Sequence, residues 1–330
     1  MAKIGVFDSG YGGLTILKEI RKVLPEYDYL YLGDNARAPY GTHSFEVIYQ
    51  YTLQAVRYLF EQDCALVILA CNTASAKALR TIQQKDLHGP NPNPSPKGRE
   101  PHNVLGVIRP TVEAVPSITK NGHIGILATP ATVSSESYVL ELEKIQEHKP
   151  ASLSEGTINA SRFSPDKIQR TDRFTITQQA CPMWVPLIEA GEHHSAGAKY
   201  FVGEYLRQIF EKDPEIDTLV LGCTHYPLLK DEIDKWLAYR HEIEESEFPN
   251  PIETPQVTTI AQGELVAHSL ADYLVRHPEY REQLSQGGSC HYLTTENADR
   301  FSQSASLFIG SPIQAQTIIC QEGLFIQEVD

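Results

Sequence analysis

The chain has 330 residues, 41% of them hydrophobic, a length that suggests two domains and a composition that provides a substantial core. Its net charge of −14 is opposite to that of proteins that neutralise phosphates, so nucleic acid is not expected as a partner. No segment has the roughly 20 apolar residues of a membrane span, and the opening MAKIGVFDSG lacks a basic signal-peptide region, so we expect a cytoplasmic protein without membrane contact.

Short β-branched runs alternate with segments of helical period along the chain, which is typical of an α/β protein with parallel sheets covered by helices. The predicted strands are 3–7, 29–32, 65–70, 104–108, 124–128, 174–178 and 218–221. The predicted helices are 12–24, 44–62, 74–86, 131–146, 194–212, 227–238 and 262–276, and an apolar run covers 305–309. The predicted fold class is therefore doubly wound α/β.

Three polar stretches interrupt this alternation. Residues 88–103 contain five prolines and two glycines, which exclude a helix or a central strand and predict a linker or an exposed loop. Residues 242–256 are acidic and contain three prolines, which predicts a surface excursion. Residues 149–171 are polar without a strong period and predict a loop. We expect no chemistry from the first two stretches.

Two segments, LVILACNTASA (66–76) and TLVLGCTHYP (218–227), each run from an apolar strand into a cysteine that is followed by a threonine within two residues. The carboxyl ends of parallel strands bind ligands and a helix start lowers the pKa of a thiol, so Cys71 and Cys223 are candidate thiolates. Two such thiols suit removal of a proton from one face of a carbon and its return on the other face, which inverts a stereocentre. The alternative for either cysteine is a buried residue at the end of a core strand.

The other four cysteines lack this setting and are expected to be packing residues: Cys64, Cys181, Cys290 and Cys320. The six cysteines include no CxxC pair, which argues against a disulfide scaffold and against structural zinc. The sequence therefore predicts no metal site.

The first predicted strand ends in VFDSGYGGLT (6–15), whose glycines allow a tight turn into a helix. Asp8 lies there either as a turn residue or as a carboxylate near Cys71 that accepts a proton or holds an ammonium group. His225 follows Cys223 by two residues and is close enough to tune that thiol, although a lone histidine is usually structural. The spacing of a phosphate-binding loop or a dinucleotide-binding fold is missing, so neither ATP nor NAD is expected.

These segments together resemble glutamate racemases, the cofactor-independent members of the aspartate/glutamate racemase superfamily. FDSGYGGLT resembles the family's FDSGxGGLT, and GDNARAPYG (33–41) resembles GDxARxPYG. ACNTASA and LGCTHYPLL correspond to the two cysteine motifs, and GILATPATV (125–133) and ACPMWVPLIEAGE (180–192) are also similar. The six segments occur in the family's order across most of residues 4–230, with weaker similarity from about 260 to 310.

The resemblance implies two related doubly wound domains that face each other across a cleft. Residues 1–102 together with 227–330 would form a discontinuous first domain that carries Cys71, and 103–226 would form a second domain that carries Cys223. The two cysteines would exchange protons with the substrate, assisted by Asp8 and His225 respectively. The implied substrate-binding residues are Asp8, Ser9, Pro39, Tyr40, Gly41, Asn72, Thr73, Thr129, Thr132, Glu189, Thr224 and His225.

The implied activity is the interconversion of L- and D-glutamate, which supplies D-glutamate for peptidoglycan in a bacterial cytoplasm. Nothing in the sequence suggests a Schiff-base lysine with its phosphate site, so no pyridoxal phosphate and no other cofactor is expected. The alternatives are a racemase of aspartate or of another amino acid in the same superfamily, and a non-catalytic homologue that binds DNA gyrase. The expected partner is a small molecule, glutamate, and a homodimer is suggested by base rate alone.

The sequence departs from the family pattern without losing a residue that the chemistry needs. IRPT (108–111) stands where many relatives have an acidic residue and a glycine. AQGE (261–264) stands where relatives often have a serine and a glycine. The inserts at 88–103 and 242–256 lengthen the chain.

Overall fold

The computed structural model describes residues 1–87, 102–147, 168–171, 173–247, 256–321 and 324–327. Its strands are β1 (Lys3–Asp8), β2 (Tyr29–Gly33), β3 (Cys64–Leu69), β4 (Asn103–Gly106), β5 (His123–Ala128), β6 (Gln169–Arg170), β7 (Thr175–Ala180), β8 (Thr218–Gly222), β9 (Thr258–Ile260), β10 (Cys290–Thr294), β11 (Ala315–Gln321) and β12 (Leu324–Gln327). Its α-helices are α1 (Gly13–Val23), α2 (Phe45–Glu61), α3 (Asn72–Lys77), α4 (Leu79–Thr81), α5 (Ile108–Ile118), α6 (Pro130–Ser135), α7 (Ser137–Glu147), α8 (Trp184–Glu189), α9 (Ala196–Lys212), α10 (Lys230–Glu247), α11 (Gln262–Arg276), α12 (Pro278–Arg281) and α13 (Ala298–Ile309). Single turns of 3₁₀ or π-helix cover Asn35–Arg37, Tyr40–Thr42, Ile82–Leu87 and Tyr226–Leu229.

The first compact unit comprises Met1–Pro110, Cys223–His225 and Gln262–Asp330. Its described residues form one seven-stranded sheet in the order β12-β11-β10-β2-β1-β3-β4, parallel except for β11 and β12. The register pairs Asp8 with Gly33 on β2, and Phe7 with Leu69 on β3. The turns that follow β1, β2 and β3 therefore lie together at one edge of the sheet, where α/β proteins bind ligands.

Amphipathic helices cover this sheet. α1 buries Leu14, Leu17 and Ile20, which lie three residues apart along one helical face. Each such side chain contributes about 1.5–3 kcal/mol when it is removed from water. α11 packs closely on α1, because Gly263 has no side chain: a Cβ there would lie 2.7 Å from Cγ of Glu19. The start of α11 is thereby held at a fixed position in the unit.

The second compact unit comprises Thr111–Gly222 and Tyr226–Ala261. Its described residues form a five-stranded sheet in the order β6-β7-β5-β8-β9, parallel except for β6 and β7. Trp184 on α8 is fully buried and packs edge-on against Tyr226 at 4.7 Å between ring centroids. An edge-to-face pair of this kind adds about 0.5–1.5 kcal/mol to the free energy gained by burial.

The predicted α/β class is confirmed, since both sheets are mainly parallel and alternate with helices. Three segments group differently from the predicted domains. Residues 103–110 belong to the first unit, because β4 pairs with β3. Residues 227–261 belong to the second unit, because β9 pairs with β8. Cys223–His225 groups with the first unit, although it directly follows β8. None of the described helices combines the length and the apolar composition that crossing a membrane requires.

Several predicted elements differ from the structure. The strand predicted at 104–108 ends at Gly106 because α5 begins at Ile108, with Pro110 in its first turn, where a missing N–H is harmless. The first six residues of the surface excursion predicted at 242–256 continue α10, and residues 248–255 lie outside the described ranges. The loops predicted at 88–103 and 149–171 lie mostly outside them as well, apart from the start of β4 and strand β6.

Candidate active site

Cys71 lies between β3 and α3, two residues after the strand ends. It is only 6% exposed and caps α3: its Sγ accepts a hydrogen bond from the backbone N–H of Ala74 at 3.4 Å. The Ser9 hydroxyl, from the turn after β1, lies 3.3 Å from the same sulfur. A thiolate at this position would therefore receive hydrogen bonds from two chain segments.

The pKa of the Cys71 thiol is nevertheless raised, to about 12. Burial is the largest cause and the negative charge of Asp8 is the second, and both disfavour a thiolate. The hydrogen bonds from Ser9 and from the Ala74 amide act in the opposite direction but are weaker. Desolvation thus outweighs the hydrogen bonds at the helix start and opposes the predicted thiolate at Cys71.

Asp8 ends β1 and is 1% exposed. Its Oδ2 accepts a hydrogen bond from the backbone N–H of Gly10 at 2.9 Å, which fixes the carboxylate at the turn. Gly13 allows α1 to approach closely, since a Cβ there would lie 2.6 Å from Cβ of Asp8. The turn residues thus hold a buried carboxylate within electrostatic reach of the Cys71 sulfur.

Cys223, Thr224 and His225 form a short segment within the first unit. The Thr15 hydroxyl on α1 donates a hydrogen bond to the carbonyl of Thr224 at 2.8 Å. His225 is buried, and its Nδ1 lies 3.8 Å from Sγ of Cys223. Cys223 is near enough to Cys71 for its charge to contribute to the raised pKa of the Cys71 thiol. The two predicted acid–base cysteines therefore share one electrostatic environment.

One aromatic ring that the sequence did not single out contacts His225, and further rings stack behind it. Phe308 on α13 meets the imidazole edge-on at 5.5 Å between ring centroids. Tyr11 stacks on Phe308 and on Phe301, and its hydroxyl is hydrogen-bonded to Glu296. The only indication of these rings in the sequence analysis was the apolar run at 305–309, which forms the end of α13.

The loop after β2 carries three further predicted residues. Tyr40 is buried and its hydroxyl donates to Oδ2 of Asp34, which also accepts from Nε of Arg37 at 2.7 Å. Burial and the charge of Asp34 raise the pKa of Tyr40 well above its ordinary value, so its hydroxyl stays protonated. Pro39 is exposed and Gly41 is partly buried on either side of this anchor.

Asn72 and Thr73 are the first residues of α3 and are 2% and 4% exposed. The Asn72 carboxamide pairs with that of Gln262, the first residue of α11. Gln262 was not predicted as a site residue, because only its place in the AQGE segment distinguished it in the sequence.

Three of the predicted residues belong to the second unit and are not part of this group. Thr129 caps α6 by accepting a hydrogen bond from the backbone N–H of Thr132 at 3.4 Å, and the two hydroxyls are 3.0 Å apart. Glu189 is exposed at the end of α8. Their roles toward a substrate stay predictions.

Within the described part of the chain, one group of His and acidic side chains is compact enough to hold a metal ion: His123, Asp213 and Glu215. Nδ1 of His123 lies 3.0 Å from both Asp213 oxygens, and Nε2 lies 3.1 Å from Glu215. Both ring nitrogens thus already face carboxylates, and none of the predicted site residues belongs to this cluster.

No protein-family model matches the chain. A glutamate racemase of Ruegeria sp. (strain TM1040) is 36% identical over 316 residues, covering 93% of this chain and 96% of that protein. A glutamate racemase of Persephonella marina is 39% identical over 244 residues, covering 74% of this chain and 78% of that protein. The crystal structure of a Bacillus anthracis glutamate racemase isoform covers 98% of both chains, with a TM-score of 0.72 and 26% identity. That of the Francisella tularensis enzyme in complex with D-glutamate covers 97% of both chains, with a TM-score of 0.71 and 27% identity.

Proposed function

The chain belongs to the glutamate racemase family and is an isomerase, and we propose that it interconverts L- and D-glutamate by proton transfer between two cysteines. The D-glutamate formed would serve peptidoglycan synthesis. The substrate is a small molecule, in keeping with the D-glutamate bound by the Francisella tularensis relative. No cofactor takes part in the proposed reaction.

The observation that carries this proposal is the grouping of two buried thiols, each with its own acid–base partner. Cys71 lies within the field of the Asp8 carboxylate, and Cys223 lies 3.8 Å from the imidazole of His225. An isolated structural cysteine needs no such partner. A reaction that removes a proton on one side of a carbon and returns one on the other side needs two acid–base groups, and two such thiol–partner pairs can supply them.

The proton balance of the proposed reaction closes within the site. In one direction the Cys71 thiolate takes the α-proton, and the Cys223 thiol gives its proton to the opposite face of the carbanion. The two sulfurs thereby exchange thiol and thiolate states, and the opposite enantiomer reacts in the reverse sense. The protein and substrate together neither gain nor lose a proton.

Asp8 is the group that we assign to the activation of Cys71. The thiol is protonated at neutral pH because its pKa is raised to about 12. A thiolate and a carboxylate in one buried site repel each other, so the proton that leaves Cys71 is best accepted by Asp8. His225 would play the corresponding part for Cys223, since an imidazole can both accept and donate a proton.

Binding and stabilisation of the carbanion are assigned to backbone N–H groups and hydroxyls around the two cysteines. Oriented donors stabilise a developing negative charge best where water is excluded. Asp8, Cys71, Cys223 and His225 are each at most 6% exposed, which supports such an environment. The proposed donors in the first unit are Ser9, Tyr40, Gly41, Asn72, Thr73 and Thr224.

The test is circular dichroism of the purified protein with L-glutamate in deuterated buffer, followed by mass spectrometry of the amino acid. We expect the optical signal to decay to zero while one deuterium enters at the α-carbon, without any added cofactor. A Cys71→Ser variant prepared in parallel controls for contaminating racemases. Activity on aspartate with none on glutamate would overturn the proposed substrate and leave the two-cysteine chemistry intact, whereas inactivity on both would overturn the function.

A further inference from the structure

Asn72 and Gln262 form a reciprocal pair of buried carboxamides. Nδ2 of Asn72 donates to Oε1 of Gln262 at 2.6 Å, and Nε2 of Gln262 donates back to Oδ1 of Asn72 at 3.2 Å. Asn72 is 2% and Gln262 is 1% exposed. The two residues are 190 positions apart, so the pair joins the start of α11 directly to the residue after Cys71.

The backbone carbonyl of Val107 determines the orientation of both carboxamides. Nε2 of Gln262 also donates to the backbone carbonyl of Val107, at 3.3 Å. A carbonyl oxygen only accepts hydrogen bonds, so the nitrogen of Gln262 must face Val107 and its oxygen must face away. That oxygen requires a donor, and Asn72 can supply one only if its own nitrogen points toward Gln262. The backbone at Val107 therefore sets the orientation of the Asn72 carboxamide through Gln262.

We propose that Gln262 is a positioning residue for substrate binding, which holds the Asn72 carboxamide in a single orientation beside Cys71. The inference rests on the proposed function, in which Asn72 binds glutamate. The carboxylates of glutamate accept hydrogen bonds and cannot donate them, so a carboxamide that is free to flip would present its oxygen to them for part of the time. A fixed orientation excludes the state in which the oxygen faces the carboxylate. It also avoids the entropy cost of ordering the side chain when substrate binds.

The substitution Gln262→Met tests the proposal, because methionine has similar length and keeps the packing while removing the hydrogen bonds to Asn72 and Val107. We expect KM for both enantiomers of glutamate to rise about three- to tenfold, the effect of one hydrogen bond, with little change in kcat. This split between KM and kcat is the sign of lost substrate binding rather than of lost chemistry.

Tyr273→Phe is the matched control. The Tyr273 hydroxyl accepts a hydrogen bond from Nδ2 of Asn103 at 2.7 Å and so ties the same helix, α11, to β4 without touching Asn72. We expect a lower melting temperature and an unchanged KM. If Tyr273→Phe raises KM as much as Gln262→Met, the effect arises from loosening of α11 and the proposal is wrong.

A double-substitution cycle and a spectroscopic readout complete the test. In an Asn72→Ala background, Gln262→Met should have no further effect on KM, and a persisting effect would overturn the proposal. The side-chain NH₂ signals of Asn72 in a ¹H–¹⁵N spectrum should shift in Gln262→Met, and unchanged signals would show that Gln262 does not orient Asn72. If the protein does not racemise glutamate at all, the proposed function fails, and these signals still decide whether Gln262 orients Asn72.

Discussion

Substitution of Gly12 by alanine tests whether the space beside His225 is needed for activity. Gly12 precedes α1 with φ −58° and ψ −37°, a conformation that alanine adopts without strain. A Cβ built there would lie 2.3 Å from Nδ1 of His225 and 2.4 Å from Oγ1 of Thr224, where ordinary contacts begin at 3.4 Å. Any effect of Gly12→Ala must therefore come from displaced side chains and not from the backbone.

The expected magnitude follows from these distances. The imidazole must move by about 1 Å to relieve the contact, and a displacement of that size typically lowers a rate by about 10²-fold. Crowding a packed interior also costs about 1–3 kcal/mol of folding free energy. Because L- and D-glutamate have equal free energies, kcat/KM must fall by the same factor in both directions.

The assay is the rate of racemisation of each enantiomer, with the melting temperature recorded for the same samples. Gly197→Ala on α9 is the control, since the nearest atom to a Cβ there is Oγ of Ser195 at 3.6 Å. This control should keep full activity and gain about 0.5–1 kcal/mol in stability. If Gly12→Ala retains kcat/KM within threefold, the close approach of Gly12 does not position His225, and the reasoning is refuted.

Three further predictions concern the two cysteines and one acidic side chain. Cys71→Ser and Cys223→Ser should each lower kcat by more than about 10²-fold and should lose α-proton exchange preferentially from opposite enantiomers; equal loss from both enantiomers would contradict two bases. The rate at which iodoacetamide alkylates Cys71 should still be rising above about pH 10, because the pKa of its thiol is raised to about 12, and a plateau near that of free cysteine, about 8.5, would contradict the burial argument. Hydrogen bonds from Ser289 lower the pKa of Asp28 to about 2. The ionised Asp28 therefore stabilises the folded protein above about pH 4, and this contribution is lost as the pH falls toward 2. In thermal unfolding, Asp28→Asn should therefore lower the melting temperature at pH 7 and have less effect at pH 2, and a difference that is constant with pH would be the contrary result.

The order of strands and helices in the first half of the first unit was predictable because its strands are short, apolar and separated by amphipathic segments. β1, β2, β3 and helices α1 and α2 were all predicted within two residues of their observed ends. Near the C-terminus the patterns are weaker. β10 contains a histidine and a threonine and lacks the clean apolar period of a core strand, and α13 is rich in serine although its buried residues lie on one helical face. The place of β10 in the sheet is decided by pairing with β2, a contact that the local sequence does not encode.

The candidate site shows the same division between local and distant contacts. Cys71, Asp8 and His225 could be found in the sequence because each lies within two residues of the end of a strand or of the other cysteine, Cys223. The distant partners of their chain neighbours Thr224 and Asn72 could not. The hydrogen bond between Thr15 and Thr224 spans 209 positions, and the one between Asn72 and Gln262 spans 190. A side chain gives no local sign that its partner lies so far along the chain, and only folding brings these segments together.

The raised pKa of Cys71 determines how readily this thiol ionises and how strong a base its thiolate is. With a pKa of about 12, ionisation of Cys71 at pH 7 is unfavourable by on the order of 7 kcal/mol. Burial and the charge of Asp8 are the two largest causes, and the second is removed when Asp8 takes up the thiol proton, as we propose. In the proposed reaction, a thiolate with so high a pKa is a strong base toward the weakly acidic α-carbon, and the protonated thiol is protected from oxidation, since oxidants react with the thiolate.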